Sequence, residues 1–382
     1  MRKISANIIY DGLGNKFDHY VLIIDSYNKI SGLIPKTIAG EASEIEHFDG
    51  FICPGFVNTH CHLELSHLKG TLDEKLGINN FLNQLVKLRA TDEEIITESC
   101  IEWDNMMYQQ GIIAVGDICN THHSIKAKLN TKIQYYNFIE TFALHPSRAE
   151  AAINKAKSLL NEFKRNLNFP VSITPHAPYS VSNDLYSLIN NTIRPGDSIT
   201  IHNQESQSEN EFFVSRSGEM AKRLTDWGID ISHIIANGKN SVQTYLQEIK
   251  EDNNLLLVHN TFTDKEDLNY IKEVRKHTYL ALCPKANLYI ENTLPNIELI
   301  QKSGLPICIG TDSLASNNDL NIWSELQTIQ SAYPKINTET LIKWACLNGA
   351  KFLNMENKFG SFENKKNPGV ININKNQITR IA

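Results

Sequence analysis

No run of apolar residues in the sequence approaches the ~20 needed to cross a bilayer, and the basic start Met1-Arg2-Lys3 is followed by neither a long apolar stretch nor a cleavage site. A cytoplasmic protein with no membrane partner is expected. Positive charge is not in excess: 37 Lys and Arg stand against 43 Asp and Glu, a formal net charge of -6. A general nucleic-acid binder would show a basic face, so nucleic acid is not an expected partner. No CxxC pair occurs among the seven cysteines, Cys53, Cys61, Cys100, Cys119, Cys283, Cys308 and Cys346. An odd, scattered set argues against a disulfide framework or a structural zinc knuckle, and reduced core residues are expected. Low-complexity tracts, long linkers and internal repeats are also absent.

What remains is ordinary globular material, 41% apolar and 21% charged over 382 residues. That length suits a barrel with a modest accessory domain. The first fifty or so residues carry short β-type runs, Ser5 to Tyr10, Tyr20 to Asp25 and Ile45 to Phe51, which read as a small antiparallel sheet. Pro368 to Ile373 gives one more short strand after a turn signal. Both ends are expected to pair into a small β-sandwich domain of residues 1–52 and 362–382.

Over residues 53–361, short apolar runs alternate with longer amphipathic stretches. The runs are Phe51 to Val57, Gly111 to Ile118, Ile133 to Ile139, Val171 to Thr174, Ser198 to Ile201, Leu255 to Val258, Tyr279 to Leu282 and Pro306 to Ile309. Continuous apolar strands between helices imply a parallel sheet covered on both faces. Eight such units favour a closed (β/α)8 TIM barrel, with a doubly wound open sheet as the alternative.

The polar residues that follow these runs matter most. The first run leads into His60-Cys61-His62, the fourth into His176, the fifth into His202, the sixth into His259 and the eighth into Thr311-Asp312. In a parallel barrel these strand ends surround one mouth, where the active sites of the fold lie. Strand side chains alternate, so His60 and His62 are expected on one side and Cys61 on the other, as a packing residue. A lone HxH is more often two ordinary histidines near a turn. An HxH that closes an apolar strand, with matching ligand types closing two others, points to a metal. Glu205, three residues after His202, can fold back over the mouth as a proton carrier.

These residues resemble the amidohydrolase superfamily, within it the single-metal deaminase and chlorohydrolase branch. The matching strings are Pro54 to Glu64, Thr174 to Ser180, His202-Asn203-Gln204-Glu205, Leu257-Val258-His259 and Gly310 to Ser313, with Trp344 to Ala350 resembling the helix that follows the barrel. The resemblance implies that His60, His62, His202 and Asp312 bind one divalent ion, zinc first and ferrous iron second. It also implies that the ion brings the pKa of its water toward roughly 7, that Asp312 accepts the water proton, that His259 holds and polarises the nucleophile, and that Glu205 protonates a ring nitrogen. Two-metal relatives carry a lysine or glutamate bridge at strand four. His176 stands there instead, and Lys285 is wrongly placed, so one ion is expected. The PCxxC zinc motif of the cytidine-deaminase fold is missing.

For the substrate, a small molecule, the resemblance implies contacts from His176. Glu64 and His67, on the loop after the first run, are candidate contacts that could equally tie that loop down. Arg148 could hold a carboxylate, although a solvated helix-start residue is the commoner role. The string Leu63 to Gly70 resembles that of aminodeoxyfutalosine deaminases and of S-adenosylhomocysteine/adenosine deaminases, which implies deamination of an adenine-bearing nucleoside. Rival chemistries in the branch are guanine or cytosine deamination, chlorotriazine hydrolysis and imidazolonepropionate hydrolysis. A non-catalytic scaffold is the rival class. A homodimer is the candidate assembly.

Overall fold

A computed structural model describes residues 1–382. Eight parallel strands lie in its middle, which we label β1 (Phe56–Cys61), β2 (Ile112–Cys119), β3 (Gln134–Thr141), β4 (Val171–Pro175), β5 (Ser198–Asn203), β6 (Asn254–His259), β7 (Thr278–Leu282) and β8 (Ile307–Ile309). They form two four-stranded sheets, β1-β2-β3-β4 and β5-β6-β7-β8. Every residue of β2 is buried, as both-sided helical cover requires.

Side chains link the edges of the two sheets. Between β4 and β5, Ser172 Oγ donates to the Ser198 carbonyl at 2.7 Å, Thr174 Oγ1 bonds the Thr200 carbonyl, and the Thr200 amide donates to Thr174 Oγ1 at 2.8 Å. Between β8 and β1, Thr59 Oγ1 donates to the Ile309 carbonyl at 2.9 Å, and the Asp312 amide donates to the His60 carbonyl at 3.0 Å. Hydroxyls thus supplement the few main-chain bonds where the strands part. One apolar cluster takes Val57, Ala114, Phe138, Val258, Ala281 and Cys308 from six strands of both sheets, together with Ala350 and Phe352. Those last two belong to the helical segment Thr338–Phe352, which contains a π-helical turn, Trp344–Asn348. Gly349 lets it approach β1: a Cβ there would lie 2.9 Å from Thr59 Cγ2 and from Val57 Cγ1.

Both chain ends join one seven-stranded sheet, in which Val370–Asn374 pairs with Ile45–Pro54. The sheet is mixed, where an antiparallel one was expected, because Arg2–Tyr10 and Ile45–Pro54 run parallel. The apolar run at Phe51 to Val57 is divided. Phe51 to Pro54 ends a strand of this sheet, and β1 starts only at Phe56. Gly55 makes the passage, in a space where a Cβ would meet Ile113 Cγ2 at 2.5 Å. No helix is long and apolar enough to cross a membrane.

Two of the β-to-α connections are longer than a barrel needs. After β1 come a 3₁₀ turn Leu63–Leu68, a helix Gly77–Leu88 and a further helix Glu93–Gln109. After β5 come helices Gln207–Ser215, Gly218–Asp226 and Ser241–Tyr245. Helices Gly77–Leu88 and Gly218–Asp226 line the cavities beside the strand ends that carry the histidines.

Candidate metal centre

His60 closes β1 and is wholly buried, and His62 follows at once. The β1–β2 register shifts between Phe56 and Val57 and again between Asn58 and Cys61, irregularities of the kind that re-aim side chains beside active sites. His60 and His62 meet: their Nε2 atoms are 3.3 Å apart, and each lies 3.4 Å from Asp312 Oδ1. Cys61 packs into the apolar core away from them, as expected. His202, on β5, stands 4.9 Å ring to ring from His60 and stacks on His259 at 5.5 Å and 22°. His60, His202, His259 and Asp312 each offer a ligating atom within 4.8 Å of the others.

Unusual backbone aims two of these groups. His259 has φ 74° and Asp312 φ 58°, left-handed values that non-glycine residues adopt only where the surroundings hold them. Asp312 is held by its amide bond to His60 and by Ser316 Oγ, which donates to its Oδ2 at 2.5 Å. His259 Nδ1 lies 3.2 Å from the Asn287 amide. His202 Nδ1 donates to the His176 carbonyl at 2.8 Å, which fixes the tautomer and leaves the lone pair on Nε2.

Electrostatics match the donor set. Burial and the neighbouring imidazoles push His60 well below the usual histidine range. Burial likewise pushes His62 and His259 down, against the upward pull of Asp312. These rings are therefore neutral lone-pair donors at pH 7. Burial raises the Asp312 carboxyl, but His62, His259 and the Ser316 hydroxyl outweigh it and hold the group below its ordinary value, ionised. Lone pairs from several rings converging on one carboxylate have little to gain from each other. They fit a divalent ion held by nitrogen and oxygen.

Glu205 lies past β5, just ahead of the helix Gln207–Ser215 that Ser206 caps, after a left-handed Gln204 of φ 46°. Its Oε1 is 3.5 Å from His259 Nε2. Burial, then the charges of Asp312, Glu291 and Glu209, push its carboxyl well above the usual range.

The other expected contacts divide. His176 borders the site, with Nδ1 2.8 Å from Ser180 Oγ, and lines both cavities described below. Glu64 does not reach them. It accepts the Asn120 amide at 3.1 Å, the Thr121 amide at 3.0 Å and the Thr121 hydroxyl at 2.7 Å, so it ties the loop after β1 to the loop after β2. His67 also lines neither cavity, and its ring nitrogens are buried without partners. Arg148 is exposed at the start of the helix Ala149–Asn166 and is no part of the site; solvation is cheaper there than burying a guanidinium.

Two arginines not foreseen from the sequence do line the site. A small cavity of 60 Å³ among His62, His176, His202, Glu205, His259 and Asp312 shares walls with a larger one of 280 Å³. The larger has apolar walls from Leu82, Leu85, Phe142, Leu224 and Trp227, and carries Arg89 and Arg223. Arg223 is buried, with Nε donating to Asn79 Oδ1 at 2.8 Å and Nη2 unpartnered. Its guanidinium lies 4.7 Å from the Trp227 ring centre. The apolar stripe Ile78, Phe81, Leu82, Leu85 on helix Gly77–Leu88 was the available signal for this wall.

Known proteins share this fold. An aminodeoxyfutalosine deaminase of a Nitratiruptor species is 25% identical over 346 residues, 88% of this chain and 80% of its own length. The crystal structure of Helicobacter pylori aminofutalosine deaminase with methylthio-coformycin has the same fold, with TM-score 0.79 and 19% identity over 99% of this chain and 93% of that one. So does a zinc complex of atrazine chlorohydrolase from Arthrobacter aurescens TC1, with TM-score 0.74 and 14% identity over 97% and 86%. The amidohydrolase family pattern matches residues 51–378 and so takes in His60, His62, His202, His259 and Asp312. The chain belongs to the amidohydrolase family and is a hydrolase acting on C–N bonds.

Proposed function

We propose that this chain is a metal-dependent hydrolytic deaminase of an adenine-bearing nucleoside, with aminodeoxyfutalosine the first substrate to test. On this reading the two parallel sheets close into a (β/α)8 barrel over residues 53–361, beside a small β unit of residues 1–52 and 362–382. The observation that carries it is the meeting of His60, His62, His202 and Asp312 with Glu205 and His259 at one cavity.

His60, His62, His202 and Asp312 would hold one divalent ion, zinc before ferrous iron. Such an ion supplies Lewis acidity that brings the ionisation of water into the neutral range. Asp312, an ionised carboxylate at the ring, takes the proton of the attacking water. His259, braced by Asn287, orients that water. Glu205 gives a proton to the ring nitrogen beside the aminated carbon. Water oxygen adds to that carbon, Asp312 passes the water proton to the exocyclic amine, the C–N bond breaks and ammonia leaves, and the remaining hydroxyl proton returns to Glu205 as the carbonyl forms. Positioned proton transfer of this kind contributes about 10²–10⁴ in rate.

The larger cavity supports the substrate class. A base at the ring leaves a ribose and its 5′ substituent among Leu82, Leu85, Phe142 and Trp227, with the unpartnered Nη2 of Arg223 facing a negatively charged end. The named relative, which acts on a nucleoside, supports the same reading. Purified protein assayed for ammonia against adenosine, 5′-substituted adenosines, guanine and cytosine tests it. Ammonia from the adenine nucleosides is expected. No ammonia from any aminated heterocycle, or chloride from a chlorotriazine in its place, would overturn it.

A further inference from the structure

A second group of histidines and a carboxylate lies outside the ring. His145 sits on the loop after β3, and Asp230 and His233 lie between the helices Gly218–Asp226 and Ser241–Tyr245. One ligating atom from each of the three lies within 4.8 Å of the others. The His145 and His233 rings are 5.4 Å apart and inclined at 70°.

The hydrogen bonds around them leave lone pairs free. His233 Nε2 lies 3.0 Å from the Leu144 carbonyl, which only accepts, so Nε2 carries the proton and Nδ1 the lone pair. That Nδ1 is buried and has no partner. His145 Nδ1 accepts the Ser147 amide at 3.3 Å and lies 2.8 Å from Ser147 Oγ, so an ion taking Nε2 would move the ring proton to Nδ1, where that hydroxyl oxygen accepts it. Ser232 donates its amide to Asp230 Oδ1 at 2.8 Å, which keeps the carboxylate ionised and oriented. His233 thus has one nitrogen steadied by an oxygen and the other available, the usual state of a metal-binding imidazole, and the neighbouring loop holds the His145 ring through Nδ1. The other histidine–carboxylate group away from the ring, Glu93, His122 and His123, differs in that none of its ring nitrogens is buried without a partner.

We propose that His145, Asp230 and His233 form a second cation site, selective for zinc or a similar borderline transition ion, that pins the 229–234 segment to the loop after β3. Two imidazoles and one carboxylate suit such an ion and leave one position to water, whereas calcium and magnesium prefer oxygen alone. The site's place gives it a consequence. Leu144, beside His145, and Ile229, beside Asp230, both line the larger cavity, so a bound ion would tie together two pieces of its wall.

The test is to titrate protein already carrying one zinc per chain with ZnCl₂, counting bound metal after equilibrium dialysis and recording Tm. A second equivalent is expected to bind and to raise Tm, and MgCl₂ is expected to do neither. His145→Ala, Asp230→Asn and His233→Ala should each keep the first equivalent and lose the second. The three substitutions fall on two separate segments, so a folding defect in one leaves the others to decide. Wild-type protein that saturates at one equivalent, or three variants that still take up a second, would overturn the proposal. Neither result bears on the ring or on deamination.

Discussion

The carbonyl oxygen of His176 accepts the Nδ1 proton of His202 at 2.8 Å, so the main chain of one site histidine orients the side chain of another. The carbonyl survives any substitution at position 176. His176→Asn is therefore expected to keep the bound ion and lose only a substrate contact. One neutral hydrogen bond is worth about 0.5–1.5 kcal/mol, which raises KM roughly two- to tenfold. Metal analysis alongside steady-state kinetics checks it; loss of the ion would instead make the His176 ring a ligand.

Glu205→Gln keeps the shape of the side chain and removes its proton donor. Glu205 borders the ring without belonging to it, so the variant should hold its ion while kcat falls by about 10²–10⁴. A variant with kcat within a factor of a few of wild type would show that the proton comes from elsewhere.

Arg223 Nη2 is buried and unpartnered at the wall of the larger cavity. If it meets a negative group on the substrate, Arg223→Met should raise KM for a 5′-substituted adenosine with an anionic tail. The rise should be roughly tenfold or more, as the ~1.5–3 kcal/mol of a charge-assisted bond implies. KM for adenosine itself should change little. Equal effects on both nucleosides would place the arginine in a purely structural role.

Much of this site was legible in the sequence, because polar side chains that close strands report their own position. His60, His62, His202, His259 and Asp312 all follow apolar runs, and parallel strands carry their ends to one side. The misplaced first strand is instructive. Phe51 to Val57 reads as one apolar run, yet Gly55 hands the chain from one sheet to another, a change of partner that hydrophobicity does not record. Arg148 stayed open between two roles for a related reason: an arginine after a strand can enter the cavity or turn to water, and local sequence is alike for both. Arg223 went unnoticed because it reaches the site from an extra helix, whose placement depends on the packing of Phe212, Leu224 and Ile78 across distant segments.

Stability should also respond to pH through Glu325, which lies away from the ring. Its Oε1 accepts Asn317 Nδ2 at 2.7 Å and its Oε2 the Lys285 amide at 2.9 Å. Burial pushes its carboxyl from 4.5 up to about 8. A carboxyl whose folded pKa is raised favours the folded state fully below its unfolded pKa, and that contribution is lost as pH climbs through the folded value. Wild-type Tm should therefore fall between about pH 5 and pH 8 more steeply than that of Glu325→Gln. The slope is the readout, since the substitution also removes one acceptor. Parallel slopes would mean the group is already ionised at pH 5.

The most direct test of the whole account is anomalous diffraction from crystals of the purified protein, with data collected on both sides of the zinc and iron edges. A single strong peak is predicted among His60, His62, His202 and Asp312, at about 2.0–2.2 Å from the histidine nitrogens and the carboxylate oxygen. Crystals soaked in chelator should lose that peak, and the same protein should stop releasing ammonia until the metal is restored. Full activity in protein with no peak among those four side chains would contradict it.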